Sequence, residues 1–194
     1  MMFDSITGFD FKQSAITYLK DLFSSVPYYI FQMLLSTLCM GVAFFIVRKG
    51  IKKGFQYSSR LMLMELVFMI YCTTVIYRNT CEVFKYDFHP FWSYEAIQSG
   101  RTELLAENIM NVLVFIPIGI LIGWGFPKLP LWKAISLGCL ISISIETLQF
   151  IFKRGFCEVD DVMHNTLGCL IGSGIVQMIE LAYYAITKTK YYKY

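Results

Sequence analysis

Glu146 and Gln149 stand about one helical turn apart in an otherwise apolar run, and Asn108 and Asn111 repeat that spacing in another. A third group, Arg154, Glu158, Asp160, Asp161 and Asn165, crowds into the stretch RGFCEVDDVMHN at 154–165. Carboxylates shielded from water serve as general bases and as electrostatic contacts. Amides orient polar ligands, and an arginine fork grips phosphate or carboxylate in two places. Glu146 and Asp161 are therefore the candidate catalytic groups. Asn108, Asn111, Gln149, Arg154, Glu158, Asp160 and Asn165 are the candidate ligand contacts.

The elements that must carry these residues are set by composition. Of 194 residues, 56% are hydrophobic and 16% are charged, and the mean hydropathy is +0.54. A water-soluble domain is typically about 25% charged. Such a chain is expected to lie in lipid, where about 20 apolar residues cross a hydrocarbon core of roughly 30 Å. Four spans stand out on this requirement, Pro27 to Val47, Leu61 to Tyr77, Ile109 to Phe126 and Leu131 to Phe152, and charge placement adds a fifth, Val162 to Ile186. The expected fold is all-α, a polytopic helical membrane protein. The first residues carry Asp4 and Asp10 and no basic run, so the first span is expected to act as the insertion signal.

Ahead of the spans, Ala15, Leu19, Leu22 and Phe23 recur at the spacing of one helical face. Residues 1–26 are thus expected to form an amphipathic helix at the membrane interface. Residues 27–60 give the first span and a basic loop, 61–186 the transmembrane core, and 187–194 a basic tail. Segments 48–60, 127–133 and 187–194 hold ten of the 17 basic residues and no acid. Dense lysine and arginine in short loops mark the cytoplasmic side. That orientation puts the N-terminus outside, the C-terminus inside and the acidic stretch 154–161 at the outer surface.

Within the spans, the polar residues fall on defined faces. Asn108, Asn111, Phe115, Gly119 and Ile122 share one stripe, as do Ser142, Glu146, Gln149 and Lys153, and Asp161, Asn165, Gly168 and Gly172. Gly119 with Gly123, and Gly168 with Gly172, are small residues four apart that let helices approach closely. Three helices packed through these residues would open at the outer leaflet into a polar cleft. Glu146 lies 14 residues from Trp132, about 21 Å of helix. A carboxylate at that depth costs about 2.5–3.5 kcal/mol without a partner. Lys153 and Arg154 are the nearest cations in sequence, and Arg78 and Arg101 are further candidates.

Other chemistries find little support. His89, His164, Cys157 and Glu158 show no C-x-x-C or H-x-x-x-H spacing, so no metal or other cofactor is expected. The basic residues are topological, which argues against nucleic acid. Cys39, Cys72, Cys139 and Cys169 read as small packing residues within the spans. Cys81 and Cys157 map to the outer side, where an oxidising compartment would let them pair.

The stretches ENIMNVLVFIPIGILIGW and SISIETLQFIFKRGFCEVDDVMHNTLGCLIGSG resemble the VanZ-like family. The likeness is carried by Asn111, Phe115, Pro117 and Gly119; by Ser142, Glu146 and Gln149; and by Asp160, Asp161, Asn165, Thr166, Gly168 and Gly172. Pro90 and Phe91 in FHPFWSY are similar to its Pro-Phe segment. Glu158 departs from the pattern, where aspartate is common. The resemblance covers about residues 70 to 176 and implies a multi-pass protein of the bacterial plasma membrane, linked to resistance to the lipoglycopeptide teicoplanin. It brings no settled reaction or ligand. Two readings stay open: a protein whose outer cleft engages membrane lipids, a lipid-linked wall precursor or the antibiotic itself, and a membrane-embedded hydrolase or transferase acting on a lipid headgroup. A transporter fits less well, since the polar residues stop in the outer half and no inverted repeat is visible.

Overall fold

The computed structural model describes residues 11–24 and 26–191. The first ten residues of the expected interfacial segment, and the end of the basic tail, lie outside the described residues. Helix α1 spans Phe11–Ser24, α2 Tyr28–Tyr71, α3 Trp92–Gln98, α4 Glu103–Gly125, α5 Leu131–Phe152 and α6 Val159–Tyr191. A π-helical turn, Cys72–Ile76, ends α2, and two short strands, β1 Tyr86–Asp87 and β2 Cys157–Glu158, pair in parallel. Four helical segments are long and apolar enough to cross a membrane: 28–76, 103–125, 131–152 and 159–187.

The first of these is two helical arms rather than one. A straight helix of 44 residues would run about 66 Å, twice the hydrocarbon core. Instead the chain reverses at Gly50, whose φ of 73° and ψ of 168° belong to no helix and suit a residue without a Cβ. Contacts on either side pair residues equidistant from that turn. Thr37 Oγ1 donates to Glu65 Oε1 at 2.6 Å, Phe45 stacks on Tyr57, and a Cβ on Gly54 would meet Ile46 Cα at 2.8 Å. The arms 28–49 and 51–71 are therefore an antiparallel hairpin, and with α4, α5 and α6 they give five long helical arms. The expected basic loop 48–60 is almost wholly helical, because one glycine completes the turn.

Glycine contacts between α4 and α6 set the core. A Cβ on Gly119 would lie 2.3 Å from Cys169 O, one on Gly168 2.2 Å from Val112 O, and one on Gly172 2.1 Å from Ile116 O. These helices thus meet backbone to backbone, as the small-residue stripes predict. Around that seam Phe115, Ile118, Ile122, Ile145 and Cys169 are buried, joined from the hairpin by Leu63 and Ile70. Arg60 Nε donates to Gly125 O at 2.8 Å, which ties the hairpin to the far end of α4. The opposite end gathers the π-turn, the 78–102 connection and the 152–158 turn.

Candidate functional site

At that second end the helices splay around a cavity of about 890 Å³. Its apolar wall comes from Ile70, Val114, Phe115 and Ile145. Thr73 and Thr74 reach it from the π-turn, a kind of helix irregularity frequent at functional sites. Asn111 of α4, Glu146 and Gln149 of α5, and Asp161 and Asn165 of α6 all line it. Gln13, Ser14 and Thr17 of α1 lie against its mouth, so this helix packs over the site. Of the expected apolar stripe on α1, Ala15 is half-buried and Leu19 is exposed, and the side chains of Leu22 and Phe23 lie outside the described residues.

Hydrogen bonds fix the lining. Asn111 Nδ2 donates to Asp161 Oδ1 at 2.6 Å, and Asn165 Nδ2 to Ser142 Oγ at 2.9 Å. Glu146 is 5% exposed, and its Oε2 accepts the backbone N–H of Glu158 at 3.1 Å. Gln149 is 4% exposed, and its Oε1 has no hydrogen-bond partner among the described residues. Neither Glu146 nor Asp161 forms an ion pair among them.

Four of the sequence-derived residues stand behind the cavity wall. Asp160 is fully buried at the start of α6. It accepts Phe91 N at 2.6 Å, Ser93 N at 3.0 Å and Ser93 Oγ at 2.5 Å. A carboxylate so placed satisfies the free donors of α3 and neutralises the positive end of that helix. It also holds Phe91 in a left-handed conformation, φ 67°. Asn108 continues the chain by donating to Ser93 Oγ at 3.0 Å. Glu158 Oε2 accepts Trp92 Nε1 at 3.0 Å. Burial pushes the Glu158 carboxyl up to about 8, with the Asp161 charge adding to the rise and the Trp92 bond opposing it.

Arg154, expected as the ligand-gripping cation, uses Nη1 to hold two carbonyls, Ile76 O and Arg78 O, each at 2.6 Å. It does not line the cavity. The arginine that does is Arg78, just past the π-turn, accompanied by Lys85. Arg78 forms no side-chain hydrogen bond or ion pair among the described residues, and its field reaches Glu107, Glu146 and Asp161. Gly155, at φ 111°, leaves room for it: a Cβ there would sit 2.8 Å from the Arg78 guanidinium carbon. The sequence signal for this arm was the polar pair Thr73-Thr74 ending an apolar run just before Arg78. Cys81 and Cys157 are both free thiols. The register pairs Tyr86, not Cys81, with Cys157, and burial pushes the Cys157 thiol up to about 11, so it is little ionised near neutrality.

Comparison with known proteins adds three findings. The VanZ/LLP1 family model matches residues 31–180. Protein VanZ of Enterococcus faecium is 35% identical over 66 residues, which cover 34% of this chain and 41% of that protein. The match therefore spans less than half of the relative's length. No solved structure matches the chain.

Proposed function

Because the chain belongs to the VanZ/LLP1 family, we propose that this membrane protein acts at the bacterial cell envelope by receiving the headgroup of an amphiphile in its cavity. The ligand is a lipid-linked wall precursor or a lipoglycopeptide such as teicoplanin, and its capture underlies tolerance to the antibiotic. One observation carries this reading: a cavity with apolar walls between spanning helices that also holds Glu146, Asp161, Arg78 and the unpartnered Gln149. Polar groups at membrane depth are costly to maintain and usually face a functional cavity. The orientation follows from loop charge. The basic residues Arg48, Lys49, Lys52 and Lys53 flank the hairpin turn, and Lys128 and Lys133 flank the turn between α4 and α5. With both turns cytoplasmic, the cavity faces outward, the N-terminus lies outside and the C-terminus inside.

The test is lipoglycopeptide tolerance in a susceptible host at matched expression. Glu146→Gln keeps the acceptor for Glu158 N and removes the charge, and Arg78→Gln removes the cavity's guanidinium. Both are expected to lose tolerance, whereas Ser136→Ala, at the lipid-facing far end of α5, is expected to keep it. Full tolerance in both cavity variants refutes the reading. A second reading, a membrane-embedded hydrolase or transferase, is favoured by the convergence of Glu146 and Asp161 on one cavity, with no ion-paired cation among the described residues. Glu146 or Asp161 is then the general base. Release of a headgroup from a lipid by the purified protein, lost in Asp161→Asn, would decide for it.

A further inference from the structure

We infer that the cavity selects a zwitterionic headgroup: a primary ammonium held by Gln149, Glu146 and Asp161, beside an anionic group held by Arg78. This rests on the reading that the cavity receives an amphiphile's headgroup, and it specifies the chemistry of that headgroup. The charges lining the cavity are unbalanced, with Glu103, Glu107, Glu146 and Asp161 set against Arg78 and Lys85. A purely anionic ligand would leave this excess of carboxyls without a counter-charge.

The hydrogen-bonding inventory points the same way. Deep in the cavity the free capacity belongs to acceptors. Gln149 Oε1 is buried without a donor among the described residues. Among the described residues Glu146 accepts one hydrogen bond, from the backbone of Glu158, and Asp161 one side-chain bond, from Asn111. An ionised carboxylate has about four acceptor sites and an alkylammonium has three donors. A primary ammonium can therefore meet the Gln149 oxygen and both carboxylates together. A quaternary ammonium has no N–H to offer and would leave Gln149 Oε1 buried and unpaired, a cost that discriminates strongly between ligands. Among the described residues the cavity wall also lacks the aromatic cage that recognises quaternary ammonium, with Phe115 and Phe156 as its aromatic residues.

Arg78 supplies the other half. Its guanidinium lies along Gly155 in the cavity, free of side-chain hydrogen bonds and ion pairs among the described residues. A planar fork in that state suits bidentate contact with phosphate or carboxylate. The same zwitterion is available from a membrane lipid headgroup or from a water-soluble compound, and the two sources are separable by whether an acyl chain adds affinity.

The experiment uses the purified full-length protein in detergent. Calorimetric titrations compare short-chain phosphatidylethanolamine, phosphatidylcholine and phosphatidylglycerol, together with tail-free phosphoethanolamine. Phosphatidylethanolamine is expected to bind at least about tenfold more tightly than the other two lipids. Gln149→Leu is expected to reduce that preference by about tenfold, and Arg78→Gln to weaken phosphatidylethanolamine and phosphoethanolamine alike. Arg78 is exposed at the cavity mouth, so its variant folds even if Gln149→Leu does not. Tighter binding of the tailed ligand identifies a lipid source, and equal binding a soluble one; both support the inference. Equal or better binding of phosphatidylglycerol overturns the zwitterion, and equal or better binding of phosphatidylcholine overturns the primary ammonium; either leaves the headgroup cavity standing. Undiminished binding of phosphatidylethanolamine and phosphoethanolamine by Arg78→Gln also overturns the inference. Binding of none of the ligands overturns both readings.

Discussion

Asp160→Asn should release the segment carrying α3 without altering the cavity lining directly. Asp160 Oδ1 holds Phe91 N, and Oδ2 holds both Ser93 N and Ser93 Oγ. Asparagine can keep the first bond through its single carbonyl oxygen. Its amide then turns two hydrogens toward Ser93, whose backbone N–H is left facing another donor. Ser93 Oγ already accepts from Asn108, so it absorbs the new donor only by losing its own acceptor. Bonds to a charged acceptor contribute about 1.5–3 kcal/mol each. Two are lost and partly compensated, for a net cost of about 3 kcal/mol. At 1.4 kcal/mol per tenfold, the detached state becomes about a hundredfold more populated. Hydrogen exchange read by mass spectrometry on the protein in detergent should show that loss of protection over residues 91–98. Protection should be unchanged at Gly119 and Gly172, deep in the α4–α6 seam. Unaltered exchange across 91–98 would refute the assignment of Asp160 as the clamp of α3.

Gly172→Ala places a Cβ 2.1 Å from Ile116 O, and overpacking of this kind costs about 1–3 kcal/mol. It should lower the thermal midpoint, while Gly174→Ala, with nothing within 4 Å, should leave it unchanged or raise it. Glu158 has an ordinary value of 4.5 and a folded value of about 8, so between these the folded state binds the extra proton. Stability should therefore fall as pH rises through that window. Thermal unfolding from pH 5 to 9 should show a fall that Glu158→Gln flattens, and an identical profile in the variant would remove Glu158 as the cause. The proposed topology predicts that a reporter fused after Tyr194 stays cytoplasmic and that a cysteine at position 50 resists an impermeant reagent. Export of the reporter or labelling at 50 would reverse it.

Much of the architecture was legible in the sequence, because hydropathy and helical spacing are local properties. The apolar runs gave the long helices, and the glycines four apart gave the α4–α6 seam, where Gly168 and Gly172 touch the backbone of Val112 and Ile116. The polar stripes also placed Asn111, Glu146, Gln149, Asp161 and Asn165 on faces that converge on one cavity. Periodicity assigns a residue to a face and a depth. It does not assign a partner.

Partners were decided by contacts between segments far apart in the chain. Arg154 lies nearer in sequence to the acids, yet the β1–β2 pairing and the turn after α5 direct it to the carbonyls of Ile76 and Arg78. Arg78 enters the cavity instead, because the positive φ of Gly155 leaves space beside it. Asp160 and Asp161 are adjacent in sequence, but neighbouring helical positions point about 100° apart. One therefore clamps α3 and the other meets Asn111 in the cavity. The sequence by itself determined which residues are polar, on which helix and at what depth. Only the tertiary structure decided which of them are spent on holding the fold and which line the cavity, since a hydrogen bond is fixed by where its two ends meet in space.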